Sequence, residues 1–257
     1  MKIIKPYAKM LPPANDMDSL ITDQFEYRHG LHLLKHIEWC ARISHRSEDA
    51  VTQDSWKKII QHVVLEHGDW SVVEHATVSV DAYVDRGITH EIVRHRLFSY
   101  TQESTRFVNY EKKIPPSFIY PVVGVECEFC LAGDEAKRAA VHDTFWSHQH
   151  GGPCLYDETW LGAIQHAENV YKGLLAKKWA PQLARSVFPN ALASRIIITG
   201  NLRNWRHFLV MRTSKETHPQ MKQVTIPLLK EFQEKVPMIF DDIIPDQKQS
   251  EAGKRMR

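Results

Sequence analysis

Apolar residues first recur at helical spacing over 31–43, where Leu33, Leu34, Ile37 and Ala41 share one face, which predicts an amphipathic helix. Trp56, Ile59, Ile60, Val63 and Val64 predict a second helix over 54–66. The period then changes to two. Over 76–86, Ala76, Val78, Val80, Ala82 and Val84 alternate with Thr77, Ser79, Asp81, Tyr83 and Asp85, the pattern of a half-buried strand that Gly87 ends. A helix is predicted over 88–96, another over 135–145 broken by Gly151-Gly152-Pro153, and a long one over 159–178 ahead of Pro181. Prolines 115, 116 and 121 interrupt the pieces between. The β-branched run 195–199 reads as a strand. Gly200 and Asn201 open a helix through Arg212, with Asn201 as its N-cap. A further helical segment covers 226–236, and a polar tail begins at about residue 246. Helices and strands mix without regular βαβ alternation, so the fold class is α+β.

Composition narrows the picture without naming a function. The chain has 257 residues, 43% hydrophobic and 25% charged, which suits a folded domain with a sizeable core. A net charge of +2 gives no reason to expect a nucleic-acid coat or membrane-surface binding. No run of 18 apolar residues exists, and the residues after Met1 lack a signal peptide's apolar stretch. Four cysteines in this length do not make a secreted disulfide scaffold, so a cytoplasmic location is expected. The 11 glycines fall into neither common phosphate-binding loop. Histidine is the unusual count at 15, and it raises the question of metal or proton chemistry.

Candidate chemistry concentrates in four places. Residues 94–106 carry Arg94, His95, Arg96 and Arg106 with the hydroxyls of Ser99, Thr101, Ser104 and Thr105, and Glu103 as the sole acid. Guanidinium forks and hydroxyls suit a phosphate or carboxylate, and Leu97, Phe98 and Tyr100 set them among apolar walls. Residues 185–214 hold five arginines (185, 195, 203, 206 and 212) and no lysine or acid. Leu202, Trp205, Leu209 and Arg212 follow one helical row, so Arg212 continues an apolar face and requires an anionic or polar partner. Together the two segments ask for an external anion, the alternative being acids elsewhere in the fold.

The remaining two concern metals. His67, Ser71, Glu74 and His75 precede the alternating strand in what reads as a loop, suited to positioning a flat ligand; the spacing matches no H-E-x-x-H zinc site. Cys127 and Cys130, with Cys154 and His142, His148 or His150, could hold a structural zinc. Their second half lacks regular partner spacing, and reduced thiols in an inserted segment are the other reading.

Arg94-His95-Arg96, seven residues, then Ser104, with Ser99 and Arg106 also in place, resembles the R-H-R-x7-S signature of the flavin-dependent thymidylate synthases. Further landmarks come in order: Ala41-Arg42-Ile43-Ser44, His67 with Ser71 and Glu74-His75, then Arg185, Asn201, Arg203 and Arg212, so the resemblance spans roughly 30–215. It implies a single domain over 1–257 built on a central, mostly antiparallel sheet flanked by long helices, with a Cys/His-containing insertion at about 122–156. It implies conversion of dUMP to dTMP, with methylenetetrahydrofolate as carbon donor and NADPH reducing a bound FAD. It also implies a homotetramer with shared active sites, small-molecule substrates, and no nucleic-acid or membrane partner.

Carried over residue by residue, flavin contacts fall on Ser71, Arg94, His95, Arg96, Gln102, Asn201, Arg203 and His207. The dUMP contacts fall on Glu91, Arg94, Gln102, Glu103, Ser104, Thr105, Arg106, Arg185 and Arg212. Arg212 is the catalytic candidate, polarising the uracil and enriching C5. Ser104 is implied as a nucleotide contact, not a nucleophile, and no metal is expected in the active site. None of the four cysteines has the Pro-Cys-His setting of the folate-only synthases, so a flavin would carry the difficult step. Thr101-Gln102 stand where the family often has Asn-Glu, and Glu91 where a glutamine is common. Two other functions compete: a flavin-dependent pyrimidine-nucleotide hydroxymethylase, and a nucleic-acid-binding module using the arginine-rich segments.

Overall fold

The computed structural model describes residues 2–12, 29–110, 115–121 and 157–247. The elements run β1 (Lys2–Ile3), β2 (Tyr7–Met10), α1 (His29–Ile43), α2 (Ser55–Ile59), β3 (Thr77–Asp85), α3 (Arg86–Ile92), β4 (Ser99–Gln102), β5 (Ser117–Phe118), α4 (Glu158–Ala176), α5 (Pro181–Ala184), β6 (Ala193–Asn201), α6 (Leu202–Arg212) and α7 (Pro219–Lys235). A four-stranded sheet has the order β2-β3-β6-β4, and β1 pairs with β5 in parallel. Mixed helices and sheets make the fold α+β, as the pattern requires.

The chain divides into two compact units, and both long strands, β3 and β6, are shared between them. The first comprises Met1–Tyr7, Tyr83–Ile92 and Gln102–Ile196. Its core gathers Tyr110, Phe118, Ile164, Tyr171 and Leu192, with the Phe188 ring 4.5 Å from that of Tyr171. Helix α4 starts where Asp157 accepts the Trp160 N–H at 2.9 Å, a cap worth about 1 kcal/mol, and it buries Leu161, Ile164 and Tyr171.

The second unit comprises Ala8–Ala82, Val93–Thr101 and Ile197–Arg257. Helix α1 buries Leu34, Ile37 and Ala41. The Trp205 ring lies 4.7 Å from Phe98 and 5.4 Å from Phe232, and its indole N–H donates to the Val78 carbonyl at 3.0 Å. Gly200 is required by this packing, because a Cβ there would stand 2.4 Å from the Phe98 ring.

Several boundaries differ from the sequence pattern for local reasons. The helix expected over 54–66 is α-helical only through Ile59 and becomes a π-helix over Ile60–Glu66. The expected loop before β3 contains a 3-10 helix, Trp70–His75. Strand β3 is covered on more than its apolar face, since Asp81 and Asp85 are also buried. Asp85 is tolerated there because its Oδ1 accepts the Ile88 N–H at 2.9 Å. That cap starts α3 at Arg86 and leaves Gly87 inside the first turn rather than at a strand terminator. The same helix stops at Ile92, not at residue 96, so Arg94-His95-Arg96 sits on the turn leading to β4. Helix α7 begins at Pro219 rather than 226 and accommodates Pro227, which sits at an exposed position. The helix expected over 135–145, its Gly-Gly-Pro break and the tail beyond 247 lie outside the described residues.

Candidate functional site

The expected flavin residues other than Gln102 belong to the second unit, where they collect around the turn after α3, the start of α6 and the 3-10 helix before β3. Asn201 caps α6, its Oδ1 accepting the Asn204 N–H at 2.8 Å. This places Arg203 and His207 on an exposed side of the helix, while Trp205, Phe208 and Leu209 are buried. The Asn204 side chain donates to the Leu97 carbonyl at 3.2 Å and ties that turn to the helix. Arg94 and Arg96 are exposed, and neither makes an ion pair among the described residues. Ser71 stands on the 3-10 helix, its hydroxyl donating to Asp69. Arg203 reaches back to the same turn and pairs with Glu74 at 2.5 Å.

The most organised contact is between His95 and Arg212. Arg212 ends α6, half-buried on the face its sequence row predicts, and its Nε donates to His95 Nε2 at 2.9 Å. The Phe208 ring meets the imidazole edge-on at 4.8 Å, and the Tyr100 hydroxyl donates to the His95 carbonyl at 2.6 Å. Burial, then the Arg212 charge, then His207 push the His95 pKa down to about 4. His95 is therefore neutral at pH 7, an acceptor at Nε2 with its proton on Nδ1. Burial raises the Tyr100 hydroxyl to about 12, so it remains a donor.

The expected nucleotide residues lie mainly in the first unit. Thr105 is buried, and its Oγ1 accepts from an Arg185 terminal nitrogen at 2.6 Å. Arg185 Nε donates to the Gln182 carbonyl at 3.2 Å, so the guanidinium is held at two points. Ser104 opens a tight turn whose carbonyl accepts from Val108 N–H at 3.0 Å, and Arg106 is exposed over the Phe107 ring. Glu91 is half-buried at the end of α3.

Two of these residues are occupied by the fold itself. The Gln102 amide donates to Thr89 and Ser194 hydroxyls at 3.0 and 3.1 Å. Glu103 accepts from the Tyr110 hydroxyl at 3.0 Å and from the Arg195 N–H at 3.3 Å. Burial first, and then the Glu103 charge, raise the Tyr110 phenol and keep it protonated. Within the first unit this brings Gln102 and Glu103 together with β6, and Thr105 with Arg185. Within the second it joins His95 to Arg212 and Arg203 to the Ser71 turn.

The acid-free arginine stretch needs a correction. Arg203 and Arg206 find carboxylates distant in sequence, Glu74 and Asp242, so those two do not require an external anion. Arg206 is buried, takes Asp242 in two bonds at 2.6 Å, and covers the Trp70 ring at 4.7 Å. Sequence reasoning did not single out Tyr110, Thr89, Ser194 or Asp242, and it took Tyr100 only as an apolar wall, not as the hydroxyl donor it is. Tyr100 and Tyr110 lie within or just after the motif, but hydroxyls carry no periodic signal that says where they point. Cys127, Cys130, Cys154, His142, His148 and His150 lie outside the described residues. Among the described residues no three His, Cys, Asp or Glu side chains are arranged to hold a metal, and no helix is long and apolar enough to cross a membrane.

The family model described as thymidylate synthase complementing protein matches residues 32–238. The flavin-dependent thymidylate synthase of Corynebacterium aurimucosum is 36% identical over 186 residues, covering 70% of this chain and 68% of that one. The enzyme of the same name from Mycobacterium sp. (strain JLS) is 37% identical over 182 residues, covering 70% and 67%. Among solved structures, ThyX of Helicobacter pylori complexed with FAD and dUMP superposes with a TM-score of 0.60 at 20% identity, covering 82% of this chain and 95% of that one. The UMP/dUMP methylase PolB from Streptomyces cacaoi gives 0.63 at 20% identity, covering 94% and 96%. At that identity the superpositions speak for the fold. The family match over most of the chain and the identity to the curated relatives establish that this chain belongs to the flavin-dependent thymidylate synthases.

Proposed function

We propose that the chain converts dUMP to dTMP by reductive methylation, with methylenetetrahydrofolate as carbon donor, FAD as hydride carrier and NADPH as its reductant. The observation that carries this reading is the R-H-R-x7-S signature, set on a turn and strand whose His95 engages Arg212, in a chain 36% identical to a flavin-dependent thymidylate synthase.

The donor set suits FAD. Exposed Arg94 and Arg96 offer cations to a pyrophosphate, Arg203 and His207 offer further hydrogen-bond donors with the Arg203 charge balanced by Glu74, and Ser71, Asn201 and neutral His95 supply polar groups beside apolar Phe98 and Phe208. FAD, when bound, supplies the hydride that completes the methyl group. The protein's part is orientation and electrostatics. Ser104, Arg106 and Arg185 bind the dUMP phosphate, with Thr105 steadying Arg185; Arg94 and Glu91 contribute to the nucleotide. Gln102 and Glu103 act at one remove, anchoring β4 to β6 so that the Ser104 turn keeps its place. Arg212 turns its guanidinium to the uracil and draws charge toward the carbonyls, raising electron density at C5. A neutral His95 aids this, because it accepts from Nε and adds no competing positive charge.

The single-domain reading is supported by the family match across 32–238, and the homotetramer with shared sites by the large exposure of Leu97 and Phe107, 76% each, beside the nucleotide motif. A cytoplasmic enzyme fits the reduced-thiol composition. Purified protein should be yellow, should bleach anaerobically under NADPH, and should add 14 mass units (about one CH2) to dUMP when folate is present. A colourless protein that takes up no FAD overturns the reading, and a gain corresponding to CH2O instead identifies a hydroxymethylase.

A further inference from the structure

The π-helical segment places two histidines that the proposed reaction does not use. In an α-helix, residues five apart point about 140° away from each other, given 3.6 residues per turn. Here the His67 N–H donates to the His62 carbonyl at 3.0 Å, the five-residue register of a π-helix, which brings the side chains together. The rings stand 4.4 Å apart at 89°, and the two Nε2 atoms are 3.2 Å from each other. Two imidazoles bound to one first-row divalent ion at about 2.0–2.1 Å, in octahedral or tetrahedral geometry, have nitrogens about 2.8–3.4 Å apart. The two imidazoles share a hydrogen bond at this separation, which also falls within the span that a two-imidazole chelate requires.

A carboxylate completes the arrangement. His62 Nδ1 meets Glu66 Oε2 at 3.1 Å, while Gln61 donates to Glu66 Oε1 at 3.0 Å. The Glu66 contact favours the His62 tautomer with its proton on Nδ1, which leaves a lone pair on Nε2. Metal-bound histidines are commonly oriented in this way, by a carboxylate on the nitrogen that does not bind. His67 and Glu66 border an open cleft of about 480 Å³, and the His62 side chain is 65% exposed, so an ion and its waters can reach the pair.

We propose that His62 and His67 bind a borderline divalent ion of the zinc or nickel type through their Nε2 atoms, with Glu66 as the outer-shell carboxylate and water completing the coordination. Imidazole nitrogen selects these ions over magnesium or calcium, which require oxygen ligands. Among the described residues only these two side chains serve as ligands, so the ion is exchangeable rather than structural.

The test is calorimetric titration of untagged, full-length protein with Ni2+ at neutral pH, comparing wild type, His62→Gln and Glu66→Gln. Cysteines and histidines elsewhere contribute equally to all three, so the difference isolates this site. His62→Gln should lose one equivalent of bound nickel per chain. Glu66→Gln should keep the equivalent with affinity weakened by roughly 10- to 100-fold, the usual effect of losing an outer-shell partner. His62 is 65% exposed, so both variants should melt with the wild type in chelator, which separates lost binding from lost folding. Unchanged stoichiometry in a folded His62→Gln overturns the site. Should His62→Gln melt early, Glu66→Gln decides: weakened binding of one equivalent supports the site, and wild-type binding overturns it.

Discussion

Removing the Asp242 carboxylate tests how the second unit holds its flavin-side turn. Arg206 is 3% exposed, and its terminal nitrogens reach both Asp242 oxygens at 2.6 Å and the Ile239 carbonyl at 2.7 Å. In Asp242→Ala the guanidinium would retain that carbonyl and the Trp70 face, and its charge would be left buried without a counterion. Breaking such a pair costs about 3–5 kcal/mol. Asp242 is itself 38% exposed, so water can partly replace it, and the lower end, about 3 kcal/mol, is expected. At that size the melting temperature should fall by roughly 6–12 °C. Urea denaturation at fixed protein and flavin concentration gives the free energy directly. The companion Arg206→Met/Asp242→Ala removes the charge with its partner and should recover most of the loss. A single variant destabilised by less than about 1 kcal/mol, or a double variant as unstable as the single, would refute the orphaned-charge reasoning. Because Arg206 covers Trp70, next to Ser71, the single variant should also bind FAD less tightly.

Four further outcomes follow from the same geometry. Arg212→Ala should cut dTMP formation by roughly 10- to 1,000-fold, the scale of one electrostatic contact in a site, and near-normal turnover would contradict the role assigned to it. Thr105→Val removes the acceptor that steadies Arg185 and should raise the KM for dUMP about tenfold while leaving kcat nearly unchanged, given about 1.5 kcal/mol for a hydrogen bond to a charged group. Gly200→Ala forces the Phe98 ring aside and should cost about 1–3 kcal/mol in denaturation, as overpacking does. His95 titrates lower in the folded chain, at about 4, than in the unfolded one, so the unfolded state binds more protons between those values. Stability should therefore decline as pH falls from about 6.5 toward 4, and His95→Gln should flatten that part of the profile measured by urea midpoints.

Periodicity and motif together made much of this protein legible before any coordinates. Helices α1, α4 and α6 and strand β3 are visible because burial of an apolar face imposes a period on the sequence, and β6 because its residues are β-branched. Asn201 was readable as a cap because capping is local, reaching only three residues ahead. The π-helix was not readable, since its apolar residues also satisfy an α-helical pattern. The R-H-R-x7-S signature named the family because its residue types lie close together in sequence.

Only the tertiary structure decided what each charge faces. Arg203 and Arg206 meet Glu74 and Asp242, 129 and 36 residues away, and no local pattern records a partner at such separation. Arg212 was placed on an apolar face by its spacing, yet its contact with His95 arises because the end of α6 packs beside the turn that follows α3. That packing withdraws the imidazole from water, and so determines that His95 is neutral. The sequence alone determines which chemical groups are available; long-range packing sets their partners, their protonation and therefore their use.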